Sequence, residues 1–199
     1  MRKDIYEIKE TDKVCLLDLD EVLCVYTQWW LRFLNKKLST NFTDLNVAKN
    51  TVPYDTYRKL KEEYRTCGIK ELAPVVEHAK ELVEELKKKD WKVYILTARP
   101  VDEYPSLYRQ TINWLKKNDI YTDGVFFAKK RKYAEVLMRF PHVNFIIDDN
   151  SYDCNLLAKW GYKVFLKSTK YNKDIKLEKN VIRIDDLLEV LKYIEGDKK

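Results

Sequence analysis

The sequence predicts an α/β fold, a parallel sheet with helices on both faces. Three observations carry this. Short continuous apolar runs of strand length recur along the chain; helical patterns alternate with them; and one long stretch near the start interrupts the alternation. Continuous apolar runs suit strands buried on both faces, as in a parallel sheet. Regular strand–helix alternation selects the doubly wound arrangement.

The strands are read in order. Val14-Cys15-Leu16-Leu17 is the first, Val93-Tyr94-Ile95-Leu96 the second and Val125-Phe126-Phe127 a short third. Asn144-Phe145-Ile146-Ile147 is the fourth. Val164-Phe165-Leu166 and Val181-Ile182-Arg183-Ile184 complete the set. Between them, residues 75 to 89 place Val75, Val76, Ala79, Leu82, Val83 and Leu86 at helical spacing, with Pro74 as an opening signal. Residues 105 to 117 repeat the pattern with Leu107, Ile112, Trp114 and Leu115. Further helices are expected over 132 to 139, 152 to 159 and 185 to 194.

From about residue 24 to 73 no strand is evident. Tyr26, Trp29, Trp30, Phe33 and Leu34 fit one helix, and Tyr57, Leu60 and Tyr64 another, with a polar, turn-rich stretch from Asn41 to Pro53 between them. The expected organisation is therefore a core of residues 1–23 and 74–199 with a small helical cap at 24–73. Such an insert would lie over the carboxyl edge of the sheet, where α/β folds bind ligands.

Bulk properties narrow the function. The 199 residues suit one domain with a small insert, and 45% hydrophobic content excludes a disordered chain. The net charge of +6 is modest and fits an anionic ligand, although runs such as Lys87-Lys88-Lys89 read first as solvated helix faces. Cys15, Cys24, Cys67 and Cys154 form no CxxC pair, and no signal-like or membrane-length apolar segment is seen. A reduced, cytoplasmic setting without a membrane partner is the expectation. His78 and His142 are too few, and too far from the acidic strand ends, for a zinc site.

The chemistry lies at the strand ends. Asp18-Leu19-Asp20 follows the first strand, and Asp148-Asp149 ends the fourth, with Asp153 beyond. A DxD alone is commonly a helix or turn cap. Two apolar strands that both stop in acidic pairs are harder to dismiss, because buried carboxylates are costly unless paired or metal-bound. If the two ends adjoin, the acids converge on a hard cation, for which Mg²⁺ is the natural candidate. Thr97-Ala98-Arg99 ends the second strand and offers a hydroxyl and backbone N–H groups to phosphate oxygens. Lys132, opening a helix, would offset phosphoryl charge, though Lys129, Lys130 and Arg131 beside it leave the choice of lysine open.

Asp18-Leu19-Asp20-Glu21-Val22, Leu96-Thr97, Lys132 and Asp148-Asp149 occur in the order of the four signature motifs of the haloacid dehalogenase (HAD) superfamily, and the chain resembles its phosphatases. The resemblance spans roughly residues 12 to 168 and implies a Rossmann-like core. It implies Asp18 as the nucleophile that forms an aspartyl-phosphate, and Asp20 as the acid that protonates the leaving oxygen and then activates water. Mg²⁺ would be held by Asp18, the backbone carbonyl of Asp20, and Asp149, with Asp148 assisting, while Thr97 and Lys132 hold the phosphoryl group. Glu21 departs from the pattern, standing where many members have Gly.

The position of the insert and the run Asp18 to Tyr26 are similar to 5'(3')-deoxyribonucleotidases. That likeness implies a deoxynucleoside monophosphate as substrate, with Tyr26 stacking on the base, and Trp29 and Trp30 would extend the wall. Packing inside the cap is the competing reading for these rings. Residues 74 to 160 also resemble the polynucleotide 3'-phosphatase domain of phage-type end-healing enzymes, which implies a nucleic-acid end as the alternative substrate. Arg99 and Arg109 suit either. A non-catalytic binding protein on the same fold is the third reading.

Overall fold

The computed structural model describes residues 8–128 and 132–195. Its centre is a six-stranded parallel sheet with strand order β3-β2-β1-β4-β5-β6. The strands are β1 (Val14–Leu17), β2 (Lys92–Thr97), β3 (Gly124–Phe127), β4 (Phe145–Asp148), β5 (Val164–Lys167) and β6 (Val181–Ile184). Successive side chains alternate between faces. Cys15, Leu17, Val93, Ile95, Phe145, Ile147 and Phe165 therefore enter one core, with α4 (Ala79–Lys88), α5 (Ser106–Lys117) and α8 (Glu189–Glu195) packed on it. Val14, Leu16, Tyr94, Leu96, Ile146, Val164 and Leu166 enter the other, covered by α6 (Lys132–Arg139) and α7 (Ser151–Lys159). Burial on both faces is what makes the strands read as unbroken apolar runs, each fully buried Val, Leu, Ile or Phe adding roughly 1.5–3 kcal/mol.

The interruption between β1 and α4 is helical. It holds α1 (Thr27–Leu38), α2 (Leu45–Thr51), α3 (Tyr54–Thr66) and a short 3₁₀ turn, Ile69–Leu72. These pack around a cluster of their own that contains Trp30, Leu31, Phe33, Leu34, Ala48, Val52 and Tyr64. The chain leaves and re-enters the core through two paired segments. Val25 N–H donates to Pro74 O at 2.9 Å, and Val76 N–H donates to Leu23 O at 2.9 Å. Trp114 Nε1 donates to Ala73 O at 2.7 Å and ties this neck to α5.

Three expected boundaries are corrected. The helix expected from residue 75 begins at Ala79, because Val75 and Val76 are used in the neck and His78 takes a left-handed backbone, φ 60°. The polar stretch from Asn41 to Pro53 contains α2, whose first N–H groups at Asn46 and Val47 are accepted by the Asp44 carboxylate at 2.8 and 3.2 Å. The last helix starts at Glu189, after a turn in which the Asp186 carboxylate accepts from Leu188 N–H at 2.7 Å.

Candidate active site

The strand order sets β1 between β2 and β4, so the carboxyl ends of these three strands adjoin. Leu17 is in register with Ile95 on one side and Ile147 on the other. Asp18, one residue on, thus lies level with Asp148, and its N–H continues the ladder to Ile147 O at 2.9 Å. Sheet register alone brings the two acidic strand ends together.

Asp18, Asp148 and Asp149 each offer a carboxylate oxygen within 4.8 Å of the others. Lys132, the first residue of α6, reaches into the same place, with Nζ at 2.6 Å from Asp148 Oδ2 and 3.1 Å from Asp18 Oδ2. Lys129, Lys130 and Arg131 lie outside the described residues. One ammonium does not balance three carboxylates. Burial, with Asp148 and Asp20 nearby and against the pull of Lys132, raises the Asp18 carboxyl to about 7. Burial and the charges of Asp148 and Asp18 push Asp149 well above the ordinary carboxylate range. An all-oxygen, charge-frustrated donor set of this kind fits a hard divalent cation.

Asp149 is held from behind by the buried Asn172. Its Nδ2 donates to Asp149 O and to Lys167 O, both at 2.9 Å, and its Oδ1 accepts from Thr169 N–H at 2.9 Å and Arg183 Nη1 at 3.1 Å. Asp148 Oδ1 accepts from Asn150 N–H at 2.9 Å, and the Asn150 side chain caps α7. The acidic loop is thereby fixed before any ligand arrives.

Asp20 sits in a different environment. Arg99 Nη2 donates to its Oδ1 at 2.6 Å and Arg99 Nε to its Oδ2 at 3.1 Å, a two-point bridge. Lys70, from the 3₁₀ turn of the insert, adds Nζ at 3.3 Å. Burial alone would raise the Asp20 carboxyl, but Arg99 and Lys70 together outweigh it and hold it well below the usual range. Arg99 is itself braced by Thr111 Oγ1, which accepts from Nη1 at 2.9 Å. The two carboxylates of the DxD are therefore set apart: Asp18 is frustrated and Asp20 firmly ionised.

A cavity of ≈ 180 Å³ opens above these groups. On the core side it is lined by Asp18, Asp20, Thr97, Ala98, Arg99 and Lys132, and the insert contributes Tyr26, Lys61, Arg65 and Lys70. Thr97 is almost fully buried, and its Oγ1 accepts from Arg99 N–H at 3.3 Å, which leaves its hydroxyl proton available.

The aromatic expectations fare unevenly. Tyr26 lines the cavity, but its ring lies in a charged cluster, with Lys61 Nζ 4.5 Å and Lys70 Nζ 4.8 Å from the centroid. Trp29 is not among the cavity-lining residues; its Nε1 donates to Ile69 O at 2.9 Å and Arg32 lies over its ring. Trp30 fills the insert's own core. Adjacent residues of a helix diverge by about 100°, and here Trp30 points into the insert's core while Trp29 turns toward Ile69. Arg109 is exposed and also absent from the lining.

Lys61, Arg65 and Lys70 were not singled out from the sequence, nor was Asn172. For the three cations the only signal available was position within the insert.

Glu21 has φ 70°. Its backbone N–H donates to Cys24 O at 2.7 Å, and its carboxylate accepts from Thr27 N–H, the first residue of α1. The side chain thus supplies the N-terminal acceptor that Tyr26, at the cap position, does not.

No protein-family model matches the chain. A protein of Clostridium acetobutylicum named as a nucleotidase is 23% identical over 173 residues, covering 84% of this chain and 86% of that one. The structure of a haloacid dehalogenase-like family protein from Streptococcus pneumoniae superposes with a TM-score of 0.65 at 16% identity, over 92% of this chain and 98% of that one. A HAD hydrolase of Bacillus subtilis, solved with magnesium bound, gives 0.65 at 15% identity, over 92% and 99%. The fold is that of the HAD-like hydrolases.

Proposed function

We propose that the chain is a Mg²⁺-dependent phosphomonoesterase that works through Asp18 and acts on nucleotides beneath a helical cap formed by the insert. One observation carries the reading: Asp18, Asp148, Asp149 and Lys132 converge at the sheet's carboxyl edge, while Asp20 has its own cationic partners a short way off. The fold supports it, as does the nucleotidase likeness, which is the support for a nucleotide substrate.

Asp18, Asp148 and Asp149 would hold the ion. When bound, it would supply positive charge that keeps Asp18 ionised at neutral pH and neutralises phosphoryl oxygens. Lys132 and the Thr97 hydroxyl orient the phosphoryl group, with the backbone around Ala98 beside them. Asp18 Oδ attacks phosphorus, a P–O bond to the enzyme forms, and the ester P–O bond breaks. Water then attacks phosphorus, the P–O bond to Asp18 breaks so that the free carboxylate and inorganic phosphate are released, and Asp20 takes the proton the water gives up. The ionised state of Asp20 suits this second step. To donate a proton to the leaving oxygen in the first, Asp20 must first take one up, which follows if the substrate's phosphate draws Arg99 away from it.

The test is phosphate release with Mg²⁺ from a panel of deoxynucleoside 5'-monophosphates beside an oligonucleotide bearing a 3'-phosphate. Turnover of the mononucleotides, abolished by EDTA and by Asp18→Asn, is the expected result. Turnover of the oligonucleotide alone would make this an end-healing enzyme with the insert as a strand guide. Release from neither would remove the reading.

A further inference from the structure

The cavity's charges do not balance. Five basic side chains and two carboxylates line it. Lys132 is paired with Asp18 and Asp148, and Lys70 and Arg99 share the one carboxylate of Asp20. That leaves Lys61 and Arg65, for which no carboxylate lies within 4.0 Å among the described residues. Both belong to α3 and are four residues apart, so they stand on one face of the helix.

Their direct contacts are with uncharged aromatic rings. Lys61 Nζ lies 4.3 Å from the Trp30 ring centroid, 4.5 Å from Tyr26 and 5.6 Å from Tyr64, and it donates to the Tyr26 hydroxyl. Arg65 lies 4.9 Å over the Tyr104 ring. Ring faces return only part of what an ammonium loses on leaving water. Burial, with Lys70 and Arg65 close by, lowers Lys61 to about 7. A helix on the open side of a cleft could turn two such groups to solvent. Here both are turned to the cavity instead.

We propose that α3 carries a second anion subsite, in which Lys61 and Arg65 receive a second phosphate on the leaving group of the substrate. This rests on the phosphatase reading for the first phosphate and names the substrate class for the same cavity. A phosphate matches two positive charges better than a carboxylate does, and the guanidinium fork of Arg65 suits its oxygens. Two sources present this chemistry: a small bisphosphate, and the internucleotide phosphate next to a phosphorylated strand end. The core recognises the phosphate that is cleaved, and the insert recognises the one that stays.

The experiment pairs binding with turnover. Titration calorimetry on Asp18→Asn with Mg²⁺ compares the 3'- and 5'-monophosphates of thymidine with its 3',5'-bisphosphate and with a 3'-phosphorylated thymidine dinucleotide. Phosphate release by the unaltered protein is measured on the same compounds. A second phosphate should tighten binding about tenfold or more, equivalent to roughly 1.4 kcal/mol. That preference should collapse in Lys61→Met and in Arg65→Met, with Arg65→Met deciding the matter where loss of the Lys61 cage prevents folding. Preference for the bisphosphate assigns the small-molecule source, and preference for the dinucleotide alone assigns the strand end. Equal affinity for one and two phosphates, or a preference that survives both substitutions, overturns the subsite even if every compound is hydrolysed. The preference without any hydrolysis keeps the subsite and sinks the phosphatase reading.

Discussion

Lys132→Met tests the charge frustration at the strand ends without relying on turnover. Lys132 touches two carboxylates, at 2.6 and 3.1 Å, and all three side chains are no more than 8% exposed. Removing one partner of a buried ionic cluster typically costs about 3–5 kcal/mol. The loss should fall near the lower end, about 3 kcal/mol, because Asp18 already sits at about 7 and can escape by taking up a proton. For a chain of this size, that is a fall in melting temperature of roughly 6–12 °C. The assay is thermal unfolding at pH 7 in EDTA and again in millimolar Mg²⁺. A cation held at 100 times its Kd returns about 2.7 kcal/mol. Because the Lys132 ammonium repels a cation at the same acids, Mg²⁺ should stabilise the variant more than the unaltered protein. Equal melting of the two proteins in EDTA would show that the acids do not repel one another as argued. No response to Mg²⁺ in either would remove the cation site itself.

Asp18→Asn should abolish phosphate release while keeping the circular dichroism spectrum, and in EDTA it should melt no lower than the parent, since the frustrated carboxylate is gone. A carboxyl raised to about 7 makes the folded state bind protons that the unfolded state has lost; Asp18 therefore erodes stability as pH rises from about 4 to about 7 and adds no further loss above. The difference between urea midpoints with and without Mg²⁺ should accordingly widen across that window. Arg99→Gln removes a two-point bridge and should cost about 3 kcal/mol in urea unfolding at pH 7. Asp20 is the opposite case, a depressed carboxyl whose contribution is present above the ordinary value and lost below it, so the gap between Arg99→Gln and the parent should narrow as pH falls below about 4. Glu21→Ala keeps the left-handed strain and loses the contact to Thr27, whereas Glu21→Gly loses the contact and the strain together. The alanine variant should be less stable by about 1 kcal/mol, measured by the same urea midpoints.

Which parts were legible in the sequence follows from the range of the signals. The strand ends were legible because two short-range patterns, an apolar run and an acidic pair, fall at the same place, and parallel register does the rest: Leu17 opposite Ile147 leaves Asp18 no choice but to meet Asp148. The order of the motifs pointed to a lysine at the start of this helix but left Lys129, Lys130 and Lys132 open, because a run of basic residues carries no local signal for which one turns inward. Glu21 was read as a departure at a turn that Gly commonly fills, and the turn is indeed left-handed; what a local reading could not supply is that its carboxylate reaches Thr27, six residues on, and caps a helix. The neck was missed because Val75 and Val76 fit a helical stripe equally well, and only their pairing partners at Leu23 to Val25 decide against it. The insert was least legible for a related reason. Periodicity says which face of α3 is apolar, but Lys61 and Arg65 belong to the same polar surface as Arg58 and Glu62, which pair at 3.5 Å with both side chains well exposed. Spacing cannot separate a lysine turned to water from one turned to a cavity; that depends on how the helix is docked, and Gln110 Nε2 donating to Arg65 O at 2.8 Å and Trp30 packing against Tyr64 are among the contacts that hold it. The chemistry proposed for the strand ends therefore rests on local sequence, and the proposed choice of substrate on the packing of the insert, which is why Lys61 and Arg65 come into view only once α3 has been placed.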